Sequence, residues 1–413
     1  MALSLLSVFL VLATAVDFWL AARQSRHVLA RRSEVPASFQ GLVSLADHQR
    51  AADYTKARQA LAMGSAVLSL AVTLGWLWFG IGALHDLIGR AGAPSLAAGT
   101  ALIVGVLVVS GIVDLPVSLV RTFGIESRFG FNRMSPALFF RDWAKGTALT
   151  LALGAPLIGG LLWLIGSLSG LWWLWAWLAF LVVATTLMTV YPLWIAPLFN
   201  RFTPLPDGPV KTRVLALLAQ AGYRSGGLFV MDGSARSAHA NAYFTGFGRS
   251  KRIVFYDTLL TKLDADEVEA VLAHELGHFH HKDILRAMAR LAGVSLVVFF
   301  WLGVAVKAPW FTGWLGLPQS DAVAVIVAMI CLEPVGLMFA PLMNGLSWQA
   351  EWRADAFAVR LTGGGRSLSS ALAKLSRDSA ATLTPDPLFA RFHYSHPPLP
   401  LRLARLTDAI QEE

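Results

Sequence analysis

Two imidazoles four positions apart open the chemical reading of this chain: His274-Glu275-Leu276-Gly277-His278. On a helix, positions i and i+4 share a face, so both rings can reach one ion. Zinc accepts histidine nitrogen at about 2.0–2.1 Å. Glu275 follows His274 directly, where a carboxylate can take a proton from water held by that ion. The pattern therefore points to a hydrolytic zinc site. The bland alternative is a polar helix face with two solvated histidines. A catalytic zinc also needs a third protein ligand. Glu351, Asp355, His239, His280, His281, His393 and His396 are the candidates. His280 and His281 follow His278 too closely and should form a solvated helix end. Glu351 and Asp355 share a helix face, so one could ligate while the other orients an imidazole. Spacing alone does not choose between Glu351 and the C-terminal histidines.

The elements that must carry these groups are legible nearby. Asp264 to Lys282 reads as a helix, with Asp264 and Glu267 suited to a capping box. Gly227 to Asp232 and Arg252 to Tyr256 read as short strands, and Val210 to Ala221 as a helix. Ala242, Tyr243 and Phe244 read as an edge strand to which an extended peptide could pair. An internal hairpin strand is the plainer alternative. After Ser347 a helix should run to about Leu361 and stop at Gly363-Gly364-Gly365.

Composition places this polar segment in a membrane protein. Of 413 residues, 55% are hydrophobic and 15% charged, against about 25% charged in soluble chains. Mean hydropathy is +0.57. Runs long enough to cross a bilayer lie at about Ala2–Ala22, Leu61–Leu84, Leu96–Val120, Thr147–Leu168, Leu171–Pro197, Ala287–Val306 and Ala322–Leu346. Only Gly166 to Gly170 separates the fourth from the fifth, which implies a tight turn. The first run lacks a basic leader, so it reads as a span rather than a cleaved signal. Arg and Lys crowd the loops after the first, third and fifth spans, which puts those loops and the polar segment in the cytoplasm. That asymmetry explains the net charge of +8 better than nucleic acid does, since no recognition motif for nucleic acid is present. Cys331, alone in an apolar run, reads as a small hydrophobe. Asp17, Asp114 and Glu333 lie inside spans and should face a hydrated interior rather than lipid.

The motifs together are similar to the type 1 CAAX prenyl protease family. The matching segments are TFGIESRFGFN (Thr122–Asn132), YPLWIAPLFNRFTPLP (Tyr191–Pro206), DGSARSAHANAYFTGFG (Asp232–Gly248) and RIVFYDTLL (Arg252–Leu260). They continue with EVEAVLAHELGHFHHKD (Glu267–Asp283), EWRAD (Glu351–Asp355) and HYSHPPLPLRL (His393–Leu403). The resemblance spans nearly the whole chain. It implies an α-helical membrane protein of about seven helices enclosing a chamber, with a small zincin-like α+β peptidase domain at its cytoplasmic end. It implies one zinc per chain on His274, His278 and Glu351, with Asp355 supporting a ligand. Asn241 and His396 would flank the scissile bond and donate to the developing oxyanion. His239 would support their loop.

The expected organisation is a membrane region at residues 1–198, a peptidase segment at 199–286, two spans at 287–346 and a C-terminal peptidase segment at 347–413. Expected partners are the lipid bilayer and a peptide or protein substrate that is prenylated or membrane-associated, with no nucleic acid. The family implies prenylated substrates. The Ala-, Leu- and Arg-rich composition points to a bacterial inner membrane, where clearance of membrane proteins or peptides would be the role; a eukaryotic chain would sit in the endoplasmic reticulum. A shorter bacterial heat-shock peptidase branch has fewer spans. A non-proteolytic chaperone or scaffold on the same fold is the alternative function. A transporter using the intramembrane acids would need symmetric broken helices, which the sequence lacks.

Overall fold

A computed structural model describes residues 1–223, 226–245 and 252–411. Gly246 to Gly248, the end of one family-like segment, lie outside the described residues. Among the described residues, seven helical stretches are long and apolar enough to cross a membrane. The first five comprise α1 (Ala2–Ala30), α2 (Leu45–Gly75) continuing through a π-turn into α3 (Ile81–Arg90), α4 (Ser95–Leu119), α5 (Pro136–Ser167) and α6 (Trp172–Val190). The expected tight turn separates the last two, with Gly170 at φ +65°, a conformation that costs glycine little.

The polar segment follows: β1 (Phe202–Pro204), α7 (Pro209–Gln220), β2 (Leu228–Met231), β3 (Ala242–Thr245), β4 (Arg252–Tyr256), α8 (Asp257–Leu260) and α9 (Ala265–His280). The strands form one sheet in the order β1-β2-β4-β3, with β2 and β4 parallel and β3 antiparallel to β4. Thus β3 is an edge strand, as its sequence implied. The capping box at the start of α9 is complete: Glu267 N–H donates to Asp264 and Asp264 N–H to Glu267, both at 3.0 Å.

Spans six and seven are α10 (Asp283–Val306) and, after short α11 (Pro309–Gly313), α12 (Asp321–Thr362). The sequence suggested a separate helix following the last span. Instead α12 is continuous over 42 residues, or about 63 Å at 1.5 Å per residue. Ser320 caps its start and Gly363, at φ +69°, ends it at the expected glycine stop. Three short helices complete the chain: α13 (Arg366–Asp378), α14 (Pro387–His393) and α15 (Leu399–Gln411).

Dense packing is found at the two ends. At one end a core from α2 to α6 joins the first turns of α12, where Ala322 to Val327 are all buried. At the other, α7, α9, α12, α13 and α15 close over β2 and β4 through Leu217, Ile253, Phe255, Leu272 and Leu403. Between these plugs, the apolar windows of the first six spans bury only 0 to 17% of their residues. Asp17, Asp114 and Glu333 line cavities between these helices. One cavity of 360 Å³ is lined by Asp17 and Glu333, and another of 310 Å³ by Asp114 and Glu333.

Candidate metal centre

The site forms where α9 crosses α12. Gly277 makes the crossing possible: a Cβ there would stand 2.7 Å from the Ala354 Cα. At that separation His274 and His278 meet Glu351. His274 Nε2 lies 3.5 Å from one Glu351 oxygen, and His278 Nε2 lies 3.4 Å from the other. One nitrogen or oxygen from each residue falls within 4.8 Å of the others. Glu351 and His274 are buried.

The other ring nitrogens decide what these atoms are for. His274 Nδ1 is 2.8 Å from Asp355 Oδ1, and His278 Nδ1 is 3.0 Å from Asp283 Oδ2. Each ring can donate its single Nδ1 proton to a carboxylate, which leaves Nε2 as a bare lone pair. Two lone pairs then face a carboxylate, and Glu351 Oε2 has no hydrogen-bond partner among the described residues. Such a set is repulsive unless a cation sits between. Without an ion, protons fill that role. Burial opposes charge on His274, but Asp355 and Glu351 overcome it and push the ring up to about 9. His278 is raised likewise against burial, by Glu351 and Asp283. Two nitrogens and a carboxylate at this spacing suit tetrahedral zinc, whose ligand atoms stand about 3.3 Å apart at the usual bond lengths.

Charged residues that the motif scan did not single out hold the set in place. Arg402 on α15 is buried and grips Asp355 through Nε at 2.9 Å and Nη2 at 2.5 Å. Its Nη1 stands 3.6 Å from Glu351. Asp283, the first residue of α10, is held by Arg353 at 2.9 Å and Arg286 at 3.3 Å. Both Asp283 and Arg402 lay inside family-like segments, but nothing in their spacing announced these pairings.

Glu275 is half-buried on α9. Burial lifts its carboxyl above the ordinary range, against the pull of the His274 and His278 charges. His396 Nε2 approaches Glu351 at 3.3 Å, and the imidazole stays 65% exposed. Asn241 directly precedes β3; in its described hydrogen bonds it accepts from the N–H groups of Ala242 and Tyr256 rather than reaching into the cluster. His239, His280, His281 and His393 stand apart. His239 stacks on Phe131 and lies 3.4 Å from Glu126, tying its loop to the end of the third span. His280 stacks on Phe357, with His281 edge-on to the same ring. His393 pairs with Asp17 at 3.3 Å. The structure thus brings Glu351, and none of these four histidines, to the paired imidazoles.

Comparison with known proteins agrees over nearly the whole length. Residues 24–201 match the family described as CAAX prenyl protease N-terminal, five membrane helices. Residues 204–410 match peptidase family M48. The chain is 36% identical to a CAAX prenyl protease 1 homolog of Arabidopsis thaliana, covering 83% of this chain and 80% of that one. It is 33% identical to the rice homolog, covering 97% and 96%. The crystal structure of S. mikatae Ste24p superposes with a TM-score of 0.91 at 28% identity, covering 97% of both chains.

Proposed function

This chain belongs to the CAAX prenyl protease family of M48 peptidases, and from that premise we propose which of its residues bind, cut and position. It is a multi-pass membrane zinc metalloendopeptidase. In our reading, His274, His278 and Glu351 hold the zinc. The observation that carries this is the pairing of both Nδ1 atoms with Asp355 and Asp283, which points both Nε2 atoms toward Glu351. Bound there, zinc acidifies water and polarises a carbonyl.

The chain's own groups do the rest. Glu275 takes the proton of the attacking water and passes it to the leaving amine. Its raised pKa suits a group that must both accept and return a proton. His396 and Asn241 donate to the oxyanion that develops on the scissile carbonyl. Asp355 fixes the His274 ring. Ala242, Tyr243 and Phe244 offer a free strand edge to the substrate backbone. Residues 199–286 and 347–413 act as one split peptidase, and residues 1–198 and 287–346 supply the membrane helices.

The site lies at the end where the basic loops gather: Arg23 pairs with Asp386, and Arg236 with Asp142, at 2.9 Å each. That supports a cytoplasmic active site. Proteins named CAAX prenyl protease 1 homolog among its relatives support prenylated, membrane-associated proteins as a substrate class. In a bacterial inner membrane the role would be removal of membrane proteins or peptides. Zinc content measured beside cleavage of a reporter peptide, with and without chelator, tests the reading. We expect one zinc per chain, loss of cleavage with the metal, and return of both on adding zinc. Cleavage that persists in metal-free protein would exclude this assignment. Comparing membrane-protein fragments with the enzyme present and absent tests the substrate class.

A further inference from the structure

Asn344, Trp348, Glu351 and Asp355 of α12 fall at i, i+4, i+7 and i+11. At about 3.6 residues per turn, all four share one narrow stripe of the helix. Each meets the C-terminal segment, in chain order. Asn344 Nδ2 donates to the carbonyls of Arg391 and Phe392, at 3.0 and 2.9 Å. Trp348 Nε1 donates to the Tyr394 carbonyl at 2.8 Å. Glu351 lies 3.3 Å from His396 Nε2, and Asp355 accepts from Arg402 Nε at 2.9 Å. The last two rungs of this ladder belong to the metal centre, and the first two lie outside it.

The first two rungs act on main chain. The carbonyls of Arg391 and Phe392 close α14, where helical geometry leaves acceptors without intrahelical partners. Asn344 supplies both of its amide hydrogens to them. The Arg391 guanidinium also lies over the Trp348 ring, at 4.4 Å. From the other side α1 holds the same segment: buried Gln24 accepts from the Asp386 N–H at 2.7 Å and donates to the Tyr394 hydroxyl at 3.3 Å. The pinned backbone ends at Tyr394, two residues before His396. The His396 imidazole is 65% exposed. With so little packed around the ring, its place follows the backbone that carries it. Resting on the oxyanion role given to His396 above, we propose that Asn344 and Trp348 are positioning residues for His396. By fixing the main chain at 391–394, they set where its Nε2 stands relative to Glu351 on the same stripe. One helix then gauges the distance between a metal ligand and the oxyanion donor. Misplacing a reacting group by about 1 Å can lower a rate by about 10²-fold, and a contact made only in the transition state changes kcat rather than KM.

The test measures kcat, KM and zinc content in the zinc-loaded full chain with the reporter peptide. Asn344→Leu fills a similar volume without a donor, and Trp348→Phe keeps a ring and loses the N–H. Each should lower kcat by about five- to twentyfold, with KM moving less than about twofold and zinc content unchanged. In a His396→Ala background the same substitutions should lower kcat less than about twofold, because the group they place is gone. Unchanged kcat, or equal losses with and without His396, overturns the proposal. So does a loss that comes with zinc or resides in KM alone. Full activity of His396→Ala would remove the oxyanion role and this inference with it, whereas additive losses remove the inference alone. Should Asn344→Leu fail to fold, Trp348→Phe carries the test. Should His396→Ala cut too slowly to compare, a phosphinic peptide of the reporter's sequence, which mimics the tetrahedral oxyanion, decides. Its inhibition must weaken by the factor by which kcat/KM falls, and unchanged inhibition rejects the positioning role.

Discussion

The half of the site around His274 and the half around His278 are built to the same plan from different materials. Each imidazole gives Nδ1 to an aspartate, and each aspartate is gripped by arginine. Around His274 every partner is buried and belongs to helices of the peptidase end: Asp355 on α12 and Arg402 on α15. Around His278 the support comes from the first residue of a membrane span. The His278 side chain is 22% exposed against 9% for His274. A charge–dipole contact strengthens as water is excluded. The first half should therefore fix the ion, and the second should tie the peptidase to the membrane helices.

The largest expected effect concerns the group that serves both halves equally. Glu275→Gln should keep its zinc and lose cleavage by about 10²- to 10⁴-fold, the range for a general base. Full activity in a clean preparation would remove Glu275 from its role. Next is the hinge between the halves. Gly277→Ala drives a methyl into the Ala354 backbone and should cost about 1–3 kcal/mol of stability, seen as a lower Tm and weaker zinc retention. An unchanged Tm would mean that α9 and α12 approach less closely than described.

The comparison itself is at stake in a pair of variants. Asp355→Asn should weaken zinc binding by about 10- to 100-fold in chelator competition. Asp283→Asn should do less, under about tenfold, because its ring is the more exposed. The reverse order would refute the asymmetry drawn here. The smallest effect is a pH limb. Because burial raises the Glu275 pKa, activity should fall with acidification from a pH above the ordinary glutamate value of about 4.3. It should recover as the carboxylate ionises on raising pH. Glu275→Asp, with a different enclosure, should move that limb, and a limb that ignores position 275 belongs to another group.

The parts legible in the sequence were those written in local periodicity. Apolar runs gave the spans, and the Asp264–Glu267 spacing gave the start of the ligand helix. An i, i+4 pair of histidines gave two ligands, because helical geometry alone puts them together. Partners far apart in the chain were not legible. Asp355 and Arg402 are 47 residues apart, and His274 and Arg402 128; no local signal says that such residues meet. Glu351 was one of several third-ligand candidates on spacing, and only the family likeness singled it out. The continuity of α12 was hidden because the change from apolar to charged residues after Leu346 looks like a boundary.

One continuous helix, α12, runs from the buried plug at one end of the molecule to Glu351 at the other. The carboxylate behind His278 is likewise the opening residue of a span. Separating anchor from enzyme would therefore mean cutting through the helices that carry Glu351 and Asp283, so the proposed hydrolytic centre is built into the membrane spans themselves.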